Sequence, residues 1–393
     1  MMKRRMLIML ACLFCLLFGR AAAQERGTPM ETGVPISITS PSVILTEAST
    51  GKVIFEKNAD ERRPVASVTK VMTILLTLEA VDEGRVGLQD SVPVSARASG
   101  MGGSQVFLDA NKSYKLCDLL KSMIVASAND SAVALAEYID GSEEVFVRRM
   151  NERAAQLGLE DTHYVNCTGL PAQGHYTTAR DVARLSAKLD EHPLYYEYSA
   201  VWLEDFRHSG GRVTQMTNTN RLIRFYEGCD GYKTGSTNEA RYCISATAKK
   251  NGLRLIAVVL GADAGQTRFD EARAMLEYGF AGYQLFSPVR TGDGLEMVVP
   301  VRLGGRDTVG AVSGGTSELL IKKGDQGKFS LEAALYERVD APVHKGDVLG
   351  EIRVKRGEEV IGVVPAVAAE TVELPGMIHS LLRIRDRFML KQP

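Results

Sequence analysis

Three short groups of residues carry side chains suited to chemistry: Ser67 with Lys70, Ser127 with Asn129, and Lys233-Thr234-Gly235. A serine hydroxyl is a poor nucleophile until a neighbouring base takes its proton. Lysine is such a base only when burial or nearby positive charge lowers its pKa. A spacing of three puts Ser67 and Lys70 on one face of a helix. In the second group, the Ser127 hydroxyl would relay a proton to a leaving amine, and the Asn129 amide would hold a substrate carbonyl. In the third, Lys233 would lower the pKa of Lys70 and attract an anion. Each group alone also reads as a plain capping serine or a loop. Their order and local settings make the joint chemical reading the stronger one.

The elements that must position these groups follow from periodicity. Val71, Ile74, Leu75, Leu78 and Val81 repeat with helical period between Pro64 and Gly84, which predicts a helix over 68–81 with Ser67 at its N-terminus. The helix dipole there disfavours a second positive charge and favours an oxyanion. Helical runs at Leu116–Val125 and 131–139 leave Ser127-Ala128-Asn129 as a short connection. Runs at 230–236, 241–248 and 253–260 read as strands, the last two joined by an Asn251-Gly252 turn. If 233–236 is an edge strand, an extended peptide can align on it by strand addition. Gly235 would then clear space for the substrate. The first strands are expected at 43–45 and 53–55, around a turn at Ser49-Thr50-Gly51.

This pattern predicts an α+β catalytic unit over 24–286, an antiparallel sheet flanked by helices plus a helical lobe carrying Ser127. From 287 to 372 the chain changes to short alternating runs cut by Gly304-Gly305, Gly314-Gly315 and Lys345-Gly346, which reads as a small all-β domain.

With its motifs placed, the chain from 36 to 286 resembles the low-molecular-mass penicillin-binding proteins, the D-alanyl-D-alanine carboxypeptidases of serine peptidase family S11. The likeness rests on Ser67-Val68-Thr69-Lys70, Ser127-Ala128-Asn129, Asn166-Cys167-Thr168-Gly169-Leu170, the segment 176–181, and Asp230-Gly231-Tyr232-Lys233-Thr234-Gly235. The resemblance implies a β-lactamase/transpeptidase-like fold, with Ser67 attacking the carbonyl between two terminal D-alanines and Lys70 as base. It implies an oxyanion held by the backbone N–H groups of Ser67 and Ser236, proton delivery by Ser127, and hydrolysis of an acyl-enzyme. The substrate carboxylate would sit near Lys233 and Thr234, with Arg268 as a second anchor. A penicillin would stall on the same path, and no cofactor is implied. Ser236 stands where some relatives carry histidine, and a relative's arginine is replaced within Asn218-Thr219-Asn220.

Two rival readings remain. A serine β-lactamase needs a glutamate and asparagine to activate deacylating water. Glu160 and Asn166 lie in the right region, but they lack the Glu-x-x-x-Asn spacing, and Ala128 replaces the usual aspartate. A non-catalytic β-lactam-binding or wall-associated module would more readily have lost one of the motifs.

Lys3, Arg4 and Arg5 precede an apolar run over 6–18 and Ala21-Ala22-Ala23, the pattern of a secretory leader over 1–23. The run falls short of the roughly 20 residues of a membrane span. Losing the leader removes four basic residues and no acid, taking the formal charge from −1 to −5, and no nucleic-acid partner is expected. Cys117, Cys167, Cys229 and Cys243 show no metal or redox spacing; Cys117 and Cys243 read as buried, and disulfide pairing stays open. The histidines form no metal cluster. Over 373–393, Met377, Leu381, Ile384 and Phe388 share one stripe, with Arg383, Arg387 and Lys391 elsewhere and Arg385 inside the apolar arc. This predicts a basic amphipathic tail lying on a membrane surface, or else a helix packed on the β domain.

Overall fold

The apolar runs near 43–55 and 241–262 build the central sheet. A computed structural model describes residues 36–376; the expected leader, and the tail from Met377 on, lie outside the described residues. The first unit comprises the chain up to Lys250 together with Arg254–Gly279. It contains β1 (Ser42–Glu47), β2 (Val53–Lys57), α1 (Lys70–Asp82), α2 (Leu116–Val125), α3 (Asn129–Asp140), α4 (Glu143–Gln156), α5 (Ala179–Lys188), β3 (Cys229–Thr237), β4 (Arg241–Lys250), β5 (Leu253–Ala262) and α6 (Gly265–Gly282).

The sheet runs β2-β1-β5-β4-β3, and β3, which carries the third motif, is an edge strand. Asn251 at φ 50° and Gly252 at φ 84° make the tight turn between β4 and β5, as a two-residue hairpin requires. Helices cover both faces of the sheet, which explains why its central strands read as nearly unbroken apolar runs. Ile44, Ile256, Val258 and Leu260 share a core with Val71 and Ile74 of α1 and with Leu119 of α2. On the opposite face, Gly279 of α6 lies so close that a Cβ there would meet Leu255 at 2.5 Å and Leu45 at 3.2 Å.

The helix predicted from 68 begins differently. Ala66–Thr69 forms a 3-10 turn, and the α-helix starts at Lys70. Two neighbouring backbones press on this turn: a Cβ on Gly169 would stand 1.9 Å from the Ala66 carbonyl oxygen, and one on Gly235 2.6 Å from that of Val65. The narrower winding fits between them. Ala66 itself sits at φ 49°, in the left-handed region that alanine rarely enters.

The second unit begins at Phe280 rather than at the expected 287, and takes in Asn251–Leu253. The earlier start reflects pairing: β6 (Tyr283–Val289) joins β9 (Ser317–Lys322) in an antiparallel ribbon. The remaining strands are β7 (Gly294–Arg302), β8 (Thr308–Ser313), β10 (Phe329–Leu335), β11 (Val339–Asp340), β12 (Val348–Arg356) and β13 (Glu359–Ala368). They form a sheet in the order β10-β12-β13-β8-β7-β11. Two small cores serve it, one around Val299, Val309 and Leu349, the other around Val289, Ile352 and Val354. Among the described residues no helix is long and apolar enough to cross a membrane. Cys167, Cys229 and Cys243 are buried free thiols, whereas Cys117 is free and only half-buried, contrary to expectation. It lies in the first turn of α2, where its thiol meets the polar groups of Gln89 and Asp118.

Candidate active site

Lys70 is the centre of the site. Its side chain is wholly buried at the start of α1. The ammonium nitrogen reaches Ser67 Oγ at 2.9 Å, Asn129 Oδ1 at 2.5 Å and the Thr168 carbonyl at 2.7 Å. Three donors thus meet three acceptors, which holds the lysine in one rotamer. Burial pushes its pKa down to about 7, against the opposing pull of Cys167 and Asp130. A lysine that is half neutral near pH 7 and hydrogen-bonded to a serine hydroxyl is equipped to take that proton.

The second motif supplies the adjoining wall. Asn129 donates from Nδ2 to the Gly102 carbonyl at 2.7 Å, while its backbone N–H donates to Ser104 at 2.8 Å. Its amide oxygen is therefore spent on orienting Lys70, a role the expectation of a carbonyl-holding amide did not include. Next to it, Asp130 accepts from the backbone N–H groups of Val106 and Leu108, which ties the 102–108 loop over the site. Ser127 sits at φ 63°, with its hydroxyl buried and without a partner among the described residues. Non-glycine backbone in this region is strained, and strain of this kind gathers at functional positions.

The third wall is β3. Lys233 is wholly buried and donates to the Thr234 carbonyl at 3.1 Å. Burial, then Lys70 and Arg268, hold its pKa well below the usual lysine range. Lys70 is thus a cause of the Lys233 shift, but Lys70 itself is lowered by burial, and the expected contribution of Lys233 is not among the causes of its shift. Such a pair resists carrying two charges until an anion enters. Thr234 is buried, Ser236 exposed. Gly235 answers a different need from substrate clearance. A Cβ there would lie 2.8 Å from Ser67 N and 2.9 Å from Val68 N. The missing side chain lets β3 press against the turn that carries Ser67. Ser67 N–H lies in the first turn, where no preceding turn supplies an acceptor. Arg268, expected as a second substrate anchor, braces the strand through Nη1, which donates to the carbonyls of Gly235 and Cys243 at 2.9 and 3.2 Å.

Several contributors had no signal in the sequence beyond the Cys167–Leu170 likeness. The Thr168 carbonyl holds Lys70, and Thr73 donates to the Cys167 carbonyl at 2.7 Å. Asn166 Oδ1 accepts from the N–H groups of Thr168 and Gly169, and its Nδ2 donates to the Leu170 carbonyl. His175 is buried, bonded to Thr69 at 2.8 Å and accepting from Val165 N–H at 3.2 Å. Burial lowers its pKa to about 4, so it stays neutral and structural. A backbone carbonyl leaves no trace in residue types.

The chain that forms these three walls matches a known family in extent as well as in motif. The family model described as D-alanyl-D-alanine carboxypeptidase, Peptidase S11, covers residues 28–264. The chain belongs to that family. Residues 283–374 match the model described as penicillin-binding protein 5, C-terminal domain. Among relatives, D-alanyl-D-alanine carboxypeptidase DacF of Bacillus subtilis is 38% identical over 343 residues, 87% of this chain and 88% of its own length. The crystal structure of penicillin binding protein 5 from Haemophilus influenzae covers 87% of this chain and 100% of its own, with 29% identity and a TM-score of 0.74. Penicillin-binding protein D2 from Listeria monocytogenes, solved in its ampicillin-bound form, covers 63% of this chain and 100% of its own, with 29% identity and a TM-score of 0.57.

Within this S11 carboxypeptidase, Asn218 and Asn220 face the protein. Asn218 donates to the carbonyls of Ser199 and Val201, and Asn220 to that of Gly231. These side chains hold the chain leading into β3 and do not replace a substrate-binding arginine. Glu160 is exposed and Asn166 is spent on its own loop, so neither forms the water-activating pair of a β-lactamase.

Proposed function

We propose that the protein is a serine D-Ala-D-Ala carboxypeptidase that removes the terminal D-alanine from peptidoglycan pentapeptides through an acyl-enzyme on Ser67. The observation that carries this is the 2.9 Å bond between Ser67 Oγ and a buried lysine whose pKa lies at about 7. Neutral Lys70 would take the hydroxyl proton as Oγ attacks the carbonyl between the two D-alanines. The oxyanion would rest on the N–H groups of Ser67 and Ser236. Ser127, its hydroxyl otherwise unpartnered, would pass a proton to the departing amine, and the C–N bond would break with release of D-alanine. Water would then hydrolyse the ester, returning the proton to the Ser67 oxygen. The substrate carboxylate would bind at Lys233 and Thr234, restoring the charge that burial suppresses on Lys233.

A β-lactam would acylate Ser67 by the same steps and persist, because no carboxylate bonds to Lys70 or Ser67 among the described residues to drive fast deacylation. We further place the enzyme outside the cytoplasmic membrane, exported by its leader and held on the membrane surface by its basic tail. Mass spectrometry of a diacetyl-L-Lys-D-Ala-D-Ala type substrate tests the activity. Wild type should release one D-alanine and carry penicillin on the peptide containing Ser67, and Ser67→Ala should do neither. Undiminished release by Ser67→Ala would overturn the assignment, and rapid turnover of penicillin would favour a β-lactamase.

A further inference from the structure

The 102–108 loop is held twice. Asp130 takes the N–H groups of Val106 and Leu108. A hairpin of Leu203–Arg207 and Val213–Thr217 takes the carbonyls of Val106 and Phe107. The turn of that hairpin carries His208 and Arg212, whose backbones bond at 2.9 Å. The His208 side chain is wholly buried. Its ring centre lies 5.8 Å from that of Tyr114 and 5.0 Å from that of Phe206.

The protons of this network run one way. Arg212 Nη2 lies 3.0 Å from His208 Nδ1. A guanidinium only donates, so Nδ1 accepts and the ring proton sits on Nε2. Nε2 donates to Thr214 Oγ1 at 2.9 Å, which leaves the threonine proton for the Val106 carbonyl at 3.1 Å. Arg212 Nη2 also donates to the Phe107 carbonyl at 2.6 Å and to Asp109 Oδ1 at 2.9 Å. The Tyr114 hydroxyl donates to Asp109 Oδ2 and stands 3.1 Å from His208 Nδ1. Burial, then Arg212, hold the His208 pKa below the usual histidine value against the pull of Asp109 and Asp130. The neutral ring that the network needs is therefore the form present at pH 7. Phe107, between the gripped groups, has an exposed ring and sits at φ 62°. Such strained backbone persists only where its surroundings fix it.

We propose that His208, Arg212 and Thr214 are positioning residues for acylation, holding the 102–108 loop so that Asn129 keeps Lys70 aligned with Ser67. The path is continuous. The loop's Gly102 and Ser104 carbonyls accept from Asn129 Nδ2 and N–H, and Asn129 Oδ1 accepts from Lys70. A loop released by the hairpin frees the Asn129 amide to turn, and the base loses one of its three acceptors. Binding of the substrate carboxylate at Lys233 and Thr234 does not pass through this loop. The proposal rests on the acyl-enzyme reading and adds to it three residues from outside the three walls.

Stopped-flow labelling by a fluorescent penicillin at about pH 8, where Lys70 is mostly neutral, tests it. The concentration dependence separates the acylation rate constant from the dissociation constant of the preceding complex. Each variant is assayed below its own melting transition, so that lost stability alone leaves the rate unchanged. Arg212→Met keeps the aliphatic stem without the donors, and should slow acylation about tenfold, as a small misalignment of the base does, with the dissociation constant unchanged. Arg212→Lys, which still donates to the Phe107 carbonyl, should recover most of the rate. Thr214→Val removes one hydroxyl at nearly constant volume and should slow acylation about threefold. Arg212→Met or Thr214→Val at the wild-type rate would overturn the positioning role and leave the acyl-enzyme reading intact. So would a lysine variant as slow as the methionine one, or a loss confined to the dissociation constant. Absence of labelling in wild type would instead overturn both.

Discussion

On the proposed mechanism, catalysis at the scale of the residue depends on the protonation of Lys70. Its pKa is lowered by burial to about 7, so it is charged below that pH and neutral above it. A charged lysine cannot accept the Ser67 proton. Acylation should accordingly rise with pH, reach half its plateau near pH 7, and stay flat above it. Rates of labelling by a fluorescent penicillin between pH 5.5 and 8.5 measure this, and a flat profile would contradict the base role. Lys70→Arg should lose labelling throughout the range, because a guanidinium does not deprotonate in proteins. Ser127 combines a left-handed backbone with a buried hydroxyl that has no partner among the described residues, which on the proposed mechanism serves the leaving group. A buried hydroxyl without a partner costs stability, which is understandable where the partner is substrate.

Among the elements, the junction between β3 and the 66–69 turn decides whether the site forms. Gly235 packs its Cα against backbone, with Val65 O, Ser67 N and Val68 N all within 3 Å of where a Cβ would stand. None of these is the end of a flexible side chain, so strand and turn must separate to admit a methyl group. Gly235→Ala should lower stability by about 1–3 kcal/mol, as overpacking does. Because the Ser236 N–H would move away from Ser67, acylation should also fall by about a hundredfold, the scale of losing one oxyanion donor. Ser236→Ala, which keeps the backbone N–H, should acylate at nearly the wild-type rate. Thermal melts and penicillin labelling of the pair separate packing from side-chain chemistry; a slow Ser236→Ala variant would contradict the backbone role.

At the scale of the whole molecule, the proposed chemistry and the proposed membrane tail fall on different parts of the chain. Every group assigned to the reaction lies in the first unit, which has its own large core. The Listeria penicillin-binding protein D2 chain aligns in full with 63% of this chain and holds ampicillin. A protein of residues 24–282 should therefore retain the penicillin-labelling rate of the full mature chain. Deleting 377–393 from the full chain should keep that rate but move the protein from the membrane to the soluble fraction. A dead 24–282 fragment that is folded by circular dichroism would give the β domain a part in catalysis. Unchanged fractionation on loss of the tail would remove the membrane role.

The pairing of Ser67 with Lys70 was readable in the sequence because two residues three apart on a helical turn need only local geometry, and the β3–β5 strands because apolar runs and an Asn-Gly turn are local signals. The S11 resemblance extended that reading to the roles proposed for Ser127, Lys233 and Thr234. Other features depended on contacts between distant segments. Asn129 meets Lys70 across 59 residues and the Thr168 carbonyl meets it across 98. The same distance in sequence hid the clearance made by Gly169 and Gly235, the bracing role of Arg268, and the predominance of burial over Lys233 in lowering the Lys70 pKa. Residue types and spacing determined which groups can react; only the folded chain decided their protonation and alignment, because desolvation and backbone hydrogen bonds exist once the walls have closed around them.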